Sequence, residues 1–572
     1  MPVYNMDIAA IFNKLADLLE IQGANPFRVR AYRNAARTVE SLPKSVSDMI
    51  DRGEKLTDLP GVGKDLAGKM EEIVRTGALK ALEEEQAKLP RGIEKLLDIE
   101  DLGPKRVAAL HKELGIKNLE DLKKALDQGK VRELSGFGEK SEQKIRQHLT
   151  GMAGGEKRVQ LFVAEQVAKT FVDYLRGVEG VRKVALAGSF RRRKETVGDL
   201  DVLVACDDGA PVMDKVVEYD EVVRVAAKGS TKTSVVLRTG LRVDVRLLPV
   251  ESWGAALHYF TGSKAHNIEI RGMGVKKGLK INEYGVFKGE KRVGGAEEKD
   301  VYDAVGLPFI EPELRENRGE IEAAKKGTLP KLITLSDIQG DLHAHTNVTD
   351  GKNTMEEMAA AAKALGYSYL GITNHSKRVS MAKGLDEAAL AKEVDKIRKF
   401  NDTLSGFRVL AGLEVDILED GSLDLSNEAL DDLDFTVCSV HYNRRMSAEQ
   451  MTKRILKAMD NPRMSILGHP TGRLINEREG YAVDLEKVIA GAVERGCVVE
   501  LNAYPDRLDI DDVHCKLAKE LGALVAINTD AHSTGDLSFM RFGIGQARRG
   551  WLEAADVVNT KKTRELLRAL ER

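Results

Sequence analysis

The feature that most constrains this chain lies in its second half. Short apolar runs alternate there with helical patterns, and they end near Leu342, Thr373, Glu414, Val440, Gly468, Leu501 and Asn528. Seven such strands alternating with helices predict a parallel, barrel-like α/β domain. Six of the seven end at or beside a His, Asp or Glu. The residues are His343 and His345 with Asp350 following, then His375, Glu414, His441, His469, and Asp530 with His532. In a β/α barrel the C-terminal strand ends form the functional face. Seven of the eleven histidines lie between His343 and His532, a concentration that suits metal ligation rather than a solvated surface. Mixed imidazole and carboxylate ligands fit Zn2+, Mn2+ or Fe2+ and not a thiolate site. Nine ligands are too many for one ion. Roughly two or three ions are expected, able to generate a hydroxide and clamp a phosphate. His514 fits no strand end and reads as an ordinary helix residue.

With 572 residues the chain exceeds one hydrophobic core, and roughly three or four domains are expected. At 42% hydrophobic and 31% charged, with a net charge of −2, it reads as an ordinary globular protein. The balance is too small to argue nucleic-acid binding by itself. No apolar run approaches the ~18 residues of a membrane span. The N-terminus reads as an amphipathic helix and lacks the basic and apolar regions of a signal peptide. The four cysteines show no CxxC spacing, so a reducing, cytoplasmic setting is expected.

Residues 1–150 read as short helices joined by glycine turns that resemble one another: Leu59–Gly63, Ile99–Gly103 and Leu134–Gly138. Each is followed by a helix start. The next pattern is a helix over 160–178, strands at Lys183–Ala187, Asp199–Cys206, Thr233–Arg238 and Leu241–Leu248, and a helix over 251–261. Residues 313–335 are charged and broken by Pro330, and read as a linker.

Strand residues 183–187 run into Gly188-Ser189 and then Phe190-Arg191-Arg192-Arg193. A strand-to-helix turn carrying glycine lets backbone N–H groups approach a phosphate, and arginines add charge-assisted contacts. Asp199 and Asp201 open a strand, and two-residue periodicity puts both carboxylates on one face. Asp244 lies in a second strand of the same unit. Three converging carboxylates call for hard cations, Mg2+ or Mn2+. A two-ion arrangement can activate a hydroxyl and stabilise a leaving pyrophosphate.

Gly188-Ser189 with Asp199, Asp201 and Asp244 resembles the nucleotidyltransferase superfamily. Tyr259-Phe-Thr-Gly-Ser263, Asn267, Arg271 and Ile281–Tyr284 resemble the family X DNA polymerases, the group of DNA polymerase beta. The resemblance covers roughly residues 5–318. It implies that Asp199 and Asp201 bind both metals, and that Asp244 binds the catalytic one and accepts the primer 3′-hydroxyl proton or polarises that hydroxyl. It implies that Ser189 and Arg191, with Arg192 beside them, hold the triphosphate, with Gly188 giving backbone access. Tyr259, Phe260 and Gly262 would flank the sugar, Asn267 would meet the base in the minor groove, and Arg271 the templating side. The glycine turns resemble helix–hairpin–helix motifs, which bind DNA phosphate through backbone N–H groups. Gly61, Gly63 and Lys64, Gly103 and Lys105, and Gly136 and Gly138 are the implied contacts. The second turn departs from the pattern at Glu100-Asp101. Lys69 is the implied lyase lysine, which needs a lowered pKa. Its competing reading is a solvated helix lysine. Arg28, Tyr32 and Arg33 resemble a 5′-phosphate pocket.

The nine strand-end ligands resemble the PHP (polymerase and histidinol phosphatase) domain over roughly residues 336–572, with Asn374 where many members have Asp. The expected chain is therefore multidomain. It has a helical helix–hairpin–helix N-terminal region, an α+β nucleotidyltransferase palm with a thumb, and a C-terminal distorted (β/α)7 barrel. The expected limits are 1–83 and 84–150 for the helical subdomains, 151–250 for the palm, 251–318 for the thumb-type subdomain, 319–335 for the linker and 336–572 for the PHP domain. The implied activity is gap-filling synthesis in DNA repair. A metal-dependent 3′–5′ exonuclease accompanies it, with 3′-phosphatase or abasic endonuclease activity as further options. The implied partners are gapped or nicked primer–template DNA and dNTP, with no membrane, and the chain is expected to act as a monomer. Two alternatives stay open: a template-independent or RNA-directed nucleotidyltransferase, and a DNA-binding protein with vestigial catalysis. The intact carboxylates oppose the second.

Overall fold

The computed structural model describes all residues except 1, 2, 4, 41–45, 98, 100, 101, 150–157 and 207–209. Residues 1–157 and 158–572 form two compact units. No helix among the described residues is long and apolar enough to cross a membrane.

The first unit is helical and has two cores. One gathers Ile8, Phe12, Tyr32, Met70 and Leu79; the other gathers Ile93, Val107, Leu122 and Ile145. The three glycine turns fold alike. Short 3-10 turns at Leu56–Asp58, Ile93–Leu96 and Val131–Glu133 lead into α1 (Lys64–Thr76), α2 (Pro104–Leu114) and α3 (Glu139–Leu149). In each, an N–H closes onto a carbonyl three residues back: Val62 onto Leu59 at 3.1 Å, Leu102 onto Ile99 at 3.0 Å and Phe137 onto Leu134 at 3.0 Å. The donor side chains are buried and the flanking glycines exposed, so the apolar residue anchors the turn while the glycine backbone faces water. Glu100 and Asp101, where the second repeat departs from the others, lie outside the described residues.

The second unit begins with helix α4 (Leu161–Arg176) and a five-stranded sheet. Its strands are β1 (Val181–Leu186), β2 (Asp199–Cys206), β3 (Val222–Lys228), β4 (Lys232–Leu237) and β5 (Arg242–Leu248), in the order β1-β2-β5-β4-β3. Only the β2–β5 pair is parallel. Both faces of β2 are covered. Leu200, Val202 and Val204 join the core under α4, while Leu203 and Ala205 pack with Trp253 and Ala256 on the other side. Asp199 and Asp201 share the parity of Leu203, which aims them at the second face. β3 was not expected, because it is an edge strand with no apolar face: Val223 and Val225 are 61% and 42% exposed.

Beyond the sheet lie α5 (Gly188–Arg191) in the β1–β2 connection, α6 (Trp253–Thr261), α7 (Lys264–Lys276) and α8 (Glu298–Val305). The stretch expected as a linker is instead folded. It holds α9 (Glu320–Lys326), and Ile321, Ala323, Ala324, Leu332 and Ile333 are buried. Its Glu320 is buried with internal partners: it meets His266 Nδ1 at 2.7 Å and accepts from the backbone of Asn317 and Arg318.

Strands β6 (Gly340–Asp341), β7 (Tyr369–Ile372), β8 (Arg408–Asp416), β9 (Phe435–Ser439), β10 (Ile466–Leu467), β11 (Val498–Asn502) and β12 (Val525–Asn528) pair in parallel in chain order. A parallel bridge between Ala344 and Ala531 brings first and last together, a nearly closed seven-stranded barrel. α10 (Asp512–Leu521) and α11 (Met540–Arg549) complete its outside. Palm and barrel are fused: Ile475, Leu508 and Phe542 belong to the palm core, and Phe162 meets the Phe539 and Phe542 rings edge-on at 5.5 and 5.8 Å.

Candidate metal centres and DNA contacts

The barrel brings all nine expected ligands to one mouth. Ligand atoms of His345, Asp350, His375 and His532 lie within 4.8 Å of one another, as do those of His343, His345 and Asp530, and those of His375, Glu414 and His441. His469 Nε2 lies 2.9 Å from Glu414 Oε1. Among these buried imidazoles, His343 Nε2, both nitrogens of His345 and His469 Nδ1 have no hydrogen-bond partner. Orphaned buried nitrogens are costly unless a cation takes the lone pair, so the residues present fit a metal cluster. Burial, with the neighbouring His375, pushes His345 down to about 3, keeping it in the neutral form that ligates. His469 and Asp530 sit at φ +24° and +55°, backbone strain of the kind found at functional sites.

Carboxylates behind the ligands fix the rings. Glu500 Oε1 meets His343 Nδ1 at 2.7 Å, and its Oε2 accepts the His469 N–H at 2.7 Å. Asp416 Oδ1 meets His441 Nδ1 at 3.1 Å. Asn374 is a neighbour and not part of any ligand group: its Oδ1 accepts from Thr346 N and Thr349 Oγ1. Glu500 and Asp416 escaped the sequence reading. The available signal was a carboxylate inside an apolar strand, and for Asp416 its two-residue offset from Glu414 on the same face.

In the palm, the β2–β5 register sets Asp199 opposite Arg242 and Asp201 opposite Asp244. Burial, then the Asp199 and Asp244 charges, push Asp201 up to about 7. Burial and Asp244 also raise Asp199. Such stacked negative charge suits a divalent cation. Asp244 behaves differently. Burial opposes its charge, yet the Lys232 ammonium at 2.7 Å and the Arg242 guanidinium at 3.0 Å hold it below the usual range. Lys232 is a site residue the sequence reading missed. A Cβ on Gly188, at φ +61°, would stand 2.6 Å from Asp201 Oδ2, so only glycine lets the turn pass the carboxylate.

The arginines after Ser189 are already engaged. Arg191 grips Glu298 through Nη1 and Nη2, both at 2.7 Å, and Thr261 Oγ1 at 2.7 Å. Arg192 donates from Nε to Glu316 at 3.0 Å and from Nη1 to the Thr261 carbonyl. Gly262 follows, where an added Cβ would lie 3.3 Å from Arg192 Nη1. The Tyr259 and Phe260 rings meet edge-on at 5.1 Å, with the Arg246 guanidinium 4.3 Å above Phe260. Asn267 Nδ2 donates to the Tyr259 carbonyl at 2.7 Å, and Arg271 is exposed.

In the first unit, Gly61, Gly63, Lys64, Gly103, Lys105, Gly136 and Gly138 are all exposed at the turns. The 5′-phosphate group does not assemble as expected. Tyr32 is buried against Phe12. Arg33 is neutralised by Asp17 and Glu20, each at 2.8 Å, and Arg28 stands half-exposed, 3.8 Å from Glu85. For Lys69, burial lowers the pKa, but hydrogen bonds and charge from Asp65 and Tyr32 outweigh it, and the net shift is upward.

Comparison with known proteins agrees with this geometry. Models of a helix-hairpin-helix domain (residues 3–79), a SAM-like helix-hairpin-helix tandem (93–150), a DNA polymerase beta thumb (256–316) and a PHP domain (341–503) match the chain. A Bacillus subtilis (strain 168) protein named DNA polymerase/3′-5′ exonuclease PolX is 38% identical over 576 residues, covering 100% of both chains. The chain belongs to the PolX family. DNA polymerase lambda of Rattus norvegicus is 26% identical over 343 residues, 55% of this chain and 56% of the relative. A probable phosphatase of Thermoanaerobacter sp. (strain X514) is 28% identical over 246 residues, 41% of this chain and 95% of the relative. The PolX framework accounts for both centres on one chain. The PHP match ends at 503, and barrel closure carries Asp530 and His532 back to the cluster.

Proposed function

We propose that this chain extends and trims DNA 3′ ends at two separate centres, as a DNA-directed DNA polymerase and a 3′–5′ exonuclease, and that it serves gap filling in DNA repair. The carrying observation is the parallel pairing of Asp201 with Asp244, with Asp199 on the same face, in a chain that also gathers eight metal-type ligands at its barrel mouth, with His469 Nε2 2.9 Å from one of them, Glu414.

At the palm, Asp199 and Asp201 would hold two Mg2+ or Mn2+ ions and Asp244 one of them. Divalent cations supply charge stabilisation for the transferring phosphoryl group. Asp244, held ionised, accepts the hydrogen bond of the primer 3′-hydroxyl. As the hydroxyl proton passes to Asp244, the hydroxyl oxygen forms a bond to the α-phosphorus of dNTP, and the bond to pyrophosphate breaks. Ser189, Arg191 and Arg192 orient the triphosphate. Tyr259, Phe260 and Gly262 flank the sugar, Asn267 meets the base and Arg271 the template. At the barrel, the nine ligands would hold two or three Mn2+, Zn2+ or Fe2+ ions, and water cleaves the terminal phosphodiester, releasing a nucleotide. The exposed glycine turns hold the phosphates of gapped or nicked duplex.

The deciding experiment incubates the protein with a one-nucleotide gapped duplex in Mg2+ or Mn2+, with and without dNTP. Extension by one templated nucleotide with dNTP, and shortening without it, supports the reading. Equal incorporation on untemplated DNA would instead favour the template-independent transferase.

A further inference from the structure

Arg192 rests on a residue from the other end of the chain. Its backbone carbonyl accepts from Arg549 Nη1 at 2.8 Å, and Arg549 lies on α11 of the barrel. The same nitrogen donates to Glu316 Oε1 at 2.9 Å, the oxygen that also accepts from Arg192 Nε at 3.0 Å. Nη2 of Arg549 donates to Asp512 on α10 at 2.6 Å, and Asp512 accepts from Arg318 at 2.8 Å. Arg549 is only 4% exposed. The next residue of the palm loop, Arg193, lies against the same helix: its guanidinium is 5.6 Å from the Phe542 ring, and a Cβ on Gly545 would stand 3.1 Å from its Nε.

We propose that Arg549 is a positioning residue of the polymerase centre, setting through Glu316 and the Arg192 carbonyl the angle at which the Arg192 guanidinium meets the incoming triphosphate. The inference rests on the reading of Arg192 as a triphosphate ligand. Glu316 is shared between two guanidinium groups, so its charge is divided between them. Without Arg549 the full carboxylate falls to Arg192, which is drawn toward Glu316 and away from an incoming anion. The Arg192 carbonyl also loses its donor, which frees the loop between Gly188 and Asp199. The barrel is on this view part of the nucleotide pocket of the palm as well as a second catalytic domain.

The test uses the full chain in single-nucleotide gap filling, with 3′–5′ degradation of the same DNA as the control on each preparation. Arg549→Ala is expected to raise the KM for dNTP about tenfold, the size of effect transmitted through a contact chain, with a smaller change in kcat and with degradation retained. Arg192→Ala is expected to raise that KM at least as much, and the double variant no further than Arg192→Ala alone. If Arg549→Ala loses both activities, Arg549→Lys decides. It keeps the charge, but one ammonium cannot serve the Arg192 carbonyl, Glu316 and Asp512 together, so its KM is expected to rise. An unchanged KM in the Arg549 variant, or multiplying effects in the double variant, overturns the proposal while Arg192→Ala still shows its own defect. An unchanged KM in Arg192→Ala overturns the reading of Arg192 and the proposal with it.

Discussion

Asp201 stands directly across the parallel β2–β5 pairing from Asp244, yet the two carboxylates are held in opposite electrostatic states. Burial and like charge push Asp201 up to about 7, while Lys232 and Arg242 keep Asp244 ionised. Asp201 thus needs a cation beside it to stay charged, while Asp244 is charged before one binds. Asp201→Ala is expected to abolish dNTP incorporation and leave 3′–5′ degradation intact, and His343→Ala to do the reverse. Paired assays of both variants check this, and loss of both activities in either folded variant sinks the two-centre reading.

Gly188 tests the same site by shape. A methyl group there would meet Asp201 Oδ2 at 2.6 Å on a backbone at φ +61°. Gly188→Ala should lower incorporation at least 100-fold, on the order of a misplaced catalytic group, with exonuclease rates unchanged.

The rings of the barrel centre depend on carboxylates that bind no metal themselves. Glu500→Gln removes the charge facing His343 Nδ1 and Asn528. Bound metal, measured by elemental analysis after dialysis, should fall, with affinity lowered about 10–100-fold. Full retention of metal would show that Glu500 is only a structural partner.

Much of this was legible beforehand, and the failures share a cause. The ligand set and the strand β2 could be read because alternation and strand-end position are local patterns. β3 was missed because an edge strand with exposed valines lacks that pattern. Residues 313–335 read as a linker because Glu320 and Arg318 look solvated in sequence. Their partners, His266 and Asp512, are distant along the chain. Glu500, too, has a partner, His343, far along the chain, while Lys232 meets Asp244 only because their strands are neighbours in the sheet.

Glu316 gives a pH dependence with a defined sign. Burial opposes its charge, but Arg549, Arg192 and Lys194 bring it down to about 2 from 4.5. A carboxylate with a depressed folded pKa stabilises above the unfolded value and loses that contribution as pH falls toward the folded one. The melting-temperature gap between wild type and Glu316→Gln should be largest above pH 4.5 and close as pH falls toward 2. A gap that does not narrow would mean that charge is not what Glu316 contributes.

Lys69 is expected to be a poor Schiff-base nucleophile, because Asp65 and Tyr32 favour its protonated form. Borohydride trapping on incised abasic DNA should be weak in the wild type and stronger in Asp65→Ala. Strong trapping in the wild type that Lys69→Ala removes would refute this.

The three side chains that close the palm core, Ile475, Leu508 and Phe542, are encoded far downstream of the sheet they cover. As the chain leaves the ribosome, the polymerase half emerges with an apolar opening that only the end of the message can fill. A product terminated before Ile475 therefore carries a palm whose core lacks three of its buried side chains.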